Sequence, residues 1–140
     1  MKGILLLVIT LSLLSFSQDK NECNERSVPY WAHGVNSAIE GETITLRKAF
    51  REVQTQETDI QPANGFITLR LYISKNGELC DINAFQIDEN YEDTEFDDGK
   101  VIAQLKNIAT GLTNWKREKD VKTYNLIRFK IKNGRIEEIF

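Results

Sequence analysis

The chain has 140 residues, with 41% hydrophobic residues, 18 basic and 21 acidic side chains and a formal net charge of −3. That size and apolar content suit one domain around a single hydrophobic core and exclude two. The acidic balance excludes a general nucleic-acid binder, which needs a basic surface to displace counterions from phosphates, and it offers no attraction to anionic lipid.

Residues 1–17 read as a secretory signal peptide: Met1-Lys2, an apolar run from Ile4 to Leu14, then the small-residue stretch Ser15-Phe16-Ser17. A permanent anchor would need roughly 20 apolar residues to cross the hydrocarbon, and this run stops at the polar Gln18-Asp19-Lys20. No stable membrane anchor is therefore expected after cleavage, and the mature protein is expected to be periplasmic or secreted. Lys20-Asn21-Glu22 before Cys23 argues against a lipid-modified cysteine. Cleavage after Ser17 leaves 17 basic against 21 acidic side chains, a formal net charge of −4.

The two cysteines, Cys23 and Cys80, admit two readings in an oxidising compartment: one disulfide that staples the N-terminal arm to a strand, or two separate thiols with Cys80 buried as a small apolar residue. Zinc is not expected, because two cysteines and the single His33 do not form a tetrahedral set.

Residues 18–41 read as an irregular arm, with Tyr30 and Trp31 packing onto a domain formed by residues 42–140. Leu46, Ala49, Phe50 and Val53 then recur at helical spacing, which predicts a first helix of about three turns with Thr43 or Thr45 capping its start. Pro62, Asn64 and Gly65 end it. Residues 66–74 alternate, with Ile67, Leu69, Leu71 and Ile73 on one face and Thr68, Arg70, Tyr72 and Ser74 on the other, as in a half-buried strand. Asn76-Gly77 predicts a tight hairpin turn with positive backbone angles. The returning strand, residues 78–87, sends Cys80, Ile82 and Ala84 toward the core, while Phe85 and Ile87 have the opposite parity and imply a bulge or a strand end.

Residues 88–98 are densely acidic, and the last of them suit a helix start, where carboxylates meet the positive end of the dipole. Val101, Ile102, Leu105, Ile108, Ala109 and Leu112 form one apolar stripe, with Gly111 placed to end the helix. Residues 123–131 alternate again with Ile127, Phe129 and Ile131 inward, and Asn133-Gly134 turns the chain into residues 135–140. Strands and helices in this order bury their apolar faces as a two-layer α+β domain: a small antiparallel sheet with two helices packed on one face.

No residue set carries a recognisable chemistry. The acidic run fails the calcium-loop spacing, because its glycine is misplaced, and reads as a solvated loop. His33 has no nucleophile motif beside it, Cys80 has no cue for a lowered pKa, no carboxylate pair is singled out for glycoside chemistry, and no glycine-rich phosphate loop is present. Neither an enzyme nor a bound cofactor is expected. Tyr30, Trp31 and Trp115 read as a ligand-stacking surface or, more commonly for such rings, as packing residues.

Residues 65–131 resemble the C-terminal domain of TonB-type proteins in the form common in Bacteroidetes-like envelopes. The resemblance rests on Gly65-Phe66-Ile67-Thr68-Leu69-Arg70-Leu71-Tyr72-Ile73 leading into Lys75-Asn76-Gly77 and Asp81-Ile82. It continues through Leu112-Thr113-Asn114-Trp115-Lys116 and ends with Tyr124-Asn125-Leu126-Ile127-Arg128-Phe129-Lys130-Ile131. It departs from the family in having Ile60-Gln61-Pro62 in place of a tyrosine-proline pair, and Arg117 where a proline commonly follows the tryptophan.

The resemblance implies a module that recognises a protein or peptide partner in the cell envelope by adding an extended segment to a sheet edge. It implies docking along the last long strand, with Tyr124, Leu126, Arg128 and Lys130 as partner-binding residues. With only two prolines in the chain, a long proline-rich span across the periplasm is not expected, so the module reads as stand-alone and not motor-coupled. A structural or accessory envelope protein, its sheet edge covered by residues 135–140, is the alternative.

Overall fold

The computed structural model describes residues 23–140. The expected signal peptide and its cleavage point lie outside these residues. The elements are β1 (Val28–Pro29), β2 (Ala38–Ile39), α1 (Glu42–Ala49), α2 (Arg51–Gln56), β3 (Gly65–Ile73), β4 (Leu79–Asp88), a 3-10 turn (Phe96–Gly99), α3 (Lys100–Thr110), β5 (Trp115–Lys116), β6 (Thr123–Lys132) and β7 (Arg135–Ile139).

The main sheet runs β1-β6-β3-β4, with β7 also paired to β6, and all its pairings are antiparallel except β1 with β6. Ile67, Leu69, Leu71 and Ile73 of β3 are fully buried, and Ile127, Phe129 and Ile131 of β6 lie beside them in the core. Leu46, Phe50 and Val53 of the first helical region and Val101, Leu105 and Ala109 of α3 close over the same face. The Phe50 and Phe129 rings meet edge to face at 4.9 Å, a geometry that aligns one ring's positive edge with the other's negative face. The domain is thus α+β in two layers, as the alternating strands and striped helices require.

Several local expectations need correction. The first helix is interrupted at Phe50, which leaves the helical region (φ −99°, ψ 6°) as its ring takes its place in the core. Neither Thr43 nor Thr45 caps it; Gly41 precedes Glu42, and the Thr45 hydroxyl donates back to the Glu40 carbonyl. The acidic residues do not open α3, whose first turn holds no carboxylate. Asp97 instead accepts from the Gln61 amide through Oδ1 at 2.8 Å and donates its own amide to the Gln61 carbonyl, tying the acidic loop to the entry of β3. Phe96, unmarked by any periodicity, is fully buried under that loop.

In the first hairpin only Gly77 of the Asn76-Gly77 pair has positive φ, and the turn closes through Gly77 N–H donating to the Ser74 carbonyl at 2.9 Å. The second turn has positive φ at both Asn133 and Gly134, as a two-residue hairpin loop demands. The register shift falls between Tyr72 and Ile73, where Tyr72 faces Asp81 and Ile73 faces Leu79. Cys80 is therefore the extra residue, and the irregularity is not at Phe85 or Ile87. It is half-exposed and bonded to Cys23 across 57 residues, while Ile82 and Ala84 pack against the core.

The arm is built into the sheet and is not wholly irregular. Val28 and Pro29 pair with Thr123 and Tyr124, and Ala38 and Ile39 form a small ribbon with Lys116 and Trp115. Between them the buried Ser37 hydroxyl donates to Asn125 Oδ1 at 2.8 Å, and Asn125 Nδ2 returns a bond to the Ser37 carbonyl at 3.0 Å. Trp31 does not pack down: it is 66% exposed.

Candidate functional site

β6 is the strand on which partner-binding residues were expected, and its surroundings set what a partner can reach. On one side it pairs with β3 along its length. On the other, β7 occupies it from Phe129 to Lys132, and Arg128 exchanges two main-chain bonds with Phe140 at 2.7 and 3.0 Å. At its opposite end Tyr30 N–H donates to the Tyr124 carbonyl at 3.0 Å, continuing the β1 pairing. The docking edge expected along residues 124–130 is thus covered by the chain's own arm and tail at both ends. The physical reason lies in the sequence after Gly134: Ile136 and Ile139 are buried, and seating them brings β7 against β6.

Between those covers, at residues 125–127, β6 borders a cleft of about 140 Å³ that is also lined by Tyr30, Ile39, Leu46 and Trp115. Two of the three aromatic residues read as a possible stacking surface, Tyr30 and Trp115, therefore come together there. Trp31 does not join them.

The side chains of Tyr124, Leu126, Arg128 and Lys130 do share a surface. Their partners across β3 are Tyr72, Arg70, Thr68 and Phe66, so all project to the face opposite the helices. A row of rings and cations crosses this helix-free face. The Arg70 guanidinium carbon sits 5.0 Å from the Phe85 ring centroid and 5.1 Å from that of Tyr124. Tyr124 stands 6.4 Å from Tyr72, and Lys122 Nζ lies 5.5 Å from the Tyr72 ring while donating to the Cys23 carbonyl. Lys130 is neutralised by Glu137 at 3.5 Å. Among the described residues, no carboxylate lies within ion-pairing distance of Arg70, Lys122 or Arg128.

β4 forms the other margin of the sheet. Its even-numbered residues turn their main-chain groups away from β3: the Gln86 carbonyl accepts from Thr94 N–H at 3.2 Å, and Asp88 N–H donates to the Glu92 carbonyl at 2.9 Å. The acidic loop so covers the end of the strand, with an isolated bridge between Ile87 and Asp93. The disulfide closes the other end at Cys80. Between them, among the described residues, no second strand pairs with residues 81–85. Asp81 Oδ1 accepts the outward Ile82 amide at 2.8 Å, a local side-chain bond that leaves Ala84 as the centre of the open stretch. Phe85 flanks it, 48% exposed.

Sequence reasoning did not single out Arg70, Tyr72 or Phe85. The signal was their shared parity on strand faces turned away from the core, but their convergence depends on the β3–β4 and β3–β6 registers. His33 is exposed in a turn of the arm, and among the described residues no group of three or more His, Cys, Asp and Glu side chains converges in the manner of a metal site. No helix among them is long and apolar enough to cross a membrane, and the Cys23–Cys80 disulfide fits an exported protein. In comparison with known proteins, the chain matches no family model, no curated protein and no solved structure.

Proposed function

We propose that this chain is an exported cell-envelope interaction module, with a domain similar to the TonB C-terminal domain, that captures an extended segment of a protein partner by strand addition. The kinship is supported by the order of a helical region, a long hairpin, a second helix and a third long strand packed beside the hairpin. The site of addition differs from the one the kinship implies: it is the outer edge of β4, not β6. The single observation that carries this reading is the stretch at residues 81–85, open between the disulfide and the acidic loop. An edge of this kind presents main-chain donors and acceptors that a partner strand satisfies, and alternating side chains then set which partner is accepted.

The test is amide hydrogen exchange on the oxidised full chain with an extended probe peptide of alternating threonine and valine, and with a twin N-methylated at every second residue. The Ala84 amide is expected to exchange about tenfold more slowly with the first peptide and to be unaffected by the second. Unchanged exchange at Ala84 at concentrations where the peptide binds elsewhere, or equal binding of the methylated twin, refutes the reading.

One observation favours a second reading, an accessory envelope protein whose edge is self-covered: β7 and Phe140 already pair with β6 over residues 128–132. Failure of the β4 amides to respond to any extended peptide is the result this reading requires.

A further inference from the structure

We infer that the helix-free face is an anion-reading surface, centred on Arg70, that binds carboxylate side chains of an extended acidic peptide segment. The inference is independent of pairing at β4, because it concerns side chains on the face and not the main chain at the edge.

Arg70 is held in place before any ligand arrives. Its guanidinium carbon lies between the rings of Phe85 and Tyr124 at 5.0 and 5.1 Å, close enough for the negative faces of both rings to attract the cation. Arg70 Nε is buried with no hydrogen-bond partner among the described residues, so neighbouring polar groups do not satisfy this end of the fork. A guanidinium restrained in this way keeps a planar set of donors matched to the two oxygens of a carboxylate, and loses little side-chain freedom when it binds one.

The charges nearest it are positive, and the carboxylates on the same side, Asp81 opposite Tyr72 and Glu138 opposite Lys130, form no ion pair with them. The whole chain is net negative, yet Arg70, Lys122 and Arg128 stand on or beside this face without an acidic partner among the described residues. Arg128 faces Thr68 across the strands and is exposed, and Lys122 borders Tyr72. The half-buried Leu126 and the exposed Phe85 add apolar surface among the cations. An extended segment with a carboxylate at every second position turns all of its carboxylates to this face, whereas a basic segment meets three unneutralised cations. The rings beside Arg70 partly shield the ion pair from water and salt, which strengthens its attraction relative to a fully solvated surface pair.

The experiment follows the Arg70 Nε–Hε resonance and the binding isotherm of the oxidised full chain against three probes. These are an extended peptide alternating glutamate and valine, its glutamine-for-glutamate twin, and a polyuronate oligosaccharide. The glutamate peptide is expected to shift the Arg70 resonance and to bind about tenfold more tightly than the twin at low salt, the advantage shrinking as salt rises. Arg70→Gln is expected to remove the tenfold advantage, and Arg128→Gln to reduce it. Equal binding of the two peptides, an unmoved Arg70 resonance, or binding of the polyuronate without the glutamate peptide overturns the inference. The resonance is read in the unmutated protein, so the outcome does not depend on whether Arg70→Gln folds.

Discussion

Arg117 Nη2 donates to the carbonyl oxygen of Lys75 at 3.1 Å, joining the segment after β5 to the turn of the β3–β4 hairpin. Its Nη1 donates to the carbonyls of Ser74 and, at 3.1 Å, Val121, so one guanidinium joins the hairpin turn to the loop before β6. Burial lowers the pKa of Arg117, and the charge of Asp120 opposes that shift. The side chain that stands where the resembled family commonly has a proline is therefore a clasp on the hairpin that carries the β4 edge.

Replacing Arg117 with methionine keeps much of the apolar stem and removes the clasp. Hydrogen bonds from a charged donor contribute about 1.5–3 kcal/mol, so chemical denaturation is expected to show a loss of about 2–3 kcal/mol. Lysine restores the charge but not the fork and is expected to recover only part of the loss. A variant as stable as the parent rules out the clasp.

Reduction of the Cys23–Cys80 bond, or replacement of both cysteines with serine, frees a loop whose ends are 57 residues apart. The chain-entropy account gives a loss of about 4 kcal/mol for a closed loop of this length. Thermal unfolding with and without reductant measures it. Exchange should rise first in the arm and at residues 79–82, which the bond joins; uniform destabilisation without that local rise contradicts the stapling role.

Gly65 begins β3 at φ 151°, and a Cβ there would stand 2.1 Å from the Ile87 carbonyl oxygen and 2.8 Å from Phe96 Cζ. Gly65→Ala must therefore push the start of β3 away from β4 and lift the acidic loop from Phe96. Strain of this kind costs about 1–3 kcal/mol, read as a lower denaturation midpoint. Gly34→Ala is the useful contrast: its added Cβ meets nothing within 4 Å, so only backbone strain at φ 73° remains.

The outline of the fold was legible where one physical pattern acted alone. Ile67 to Ile73 alternate because one sheet face is buried, and the register that pairs Leu69 with both Ala84 and Ile127 follows from keeping that face apolar. The stripe from Val101 to Ala109 is buried for the same reason. Legibility ended where long-range packing overrode local preference. Phe50 breaks a helix that its neighbours would continue, and Phe96 reaches the core from a loop whose composition reads as solvated. Tyr124, Leu126, Arg128 and Lys130 were placed on one face by their parity, and the Asn133-Gly134 turn pointed to residues 135–140 beside β6, but nothing local indicates that β1 of the arm takes the other end of that margin.

The amino-acid order alone determined an acidic, single-core domain with two strand-turn-strand units and a striped helix, because these depend on periodicities of two and 3.6 residues and on the backbone freedom of particular turn residues. Tertiary structure decided which sheet margin stays open, that Cys23 reaches Cys80, and that Arg70 settles between Phe85 and Tyr124. Those outcomes join residues far apart in the chain, and they are selected by the simultaneous burial of the whole core and not by any segment's own preference.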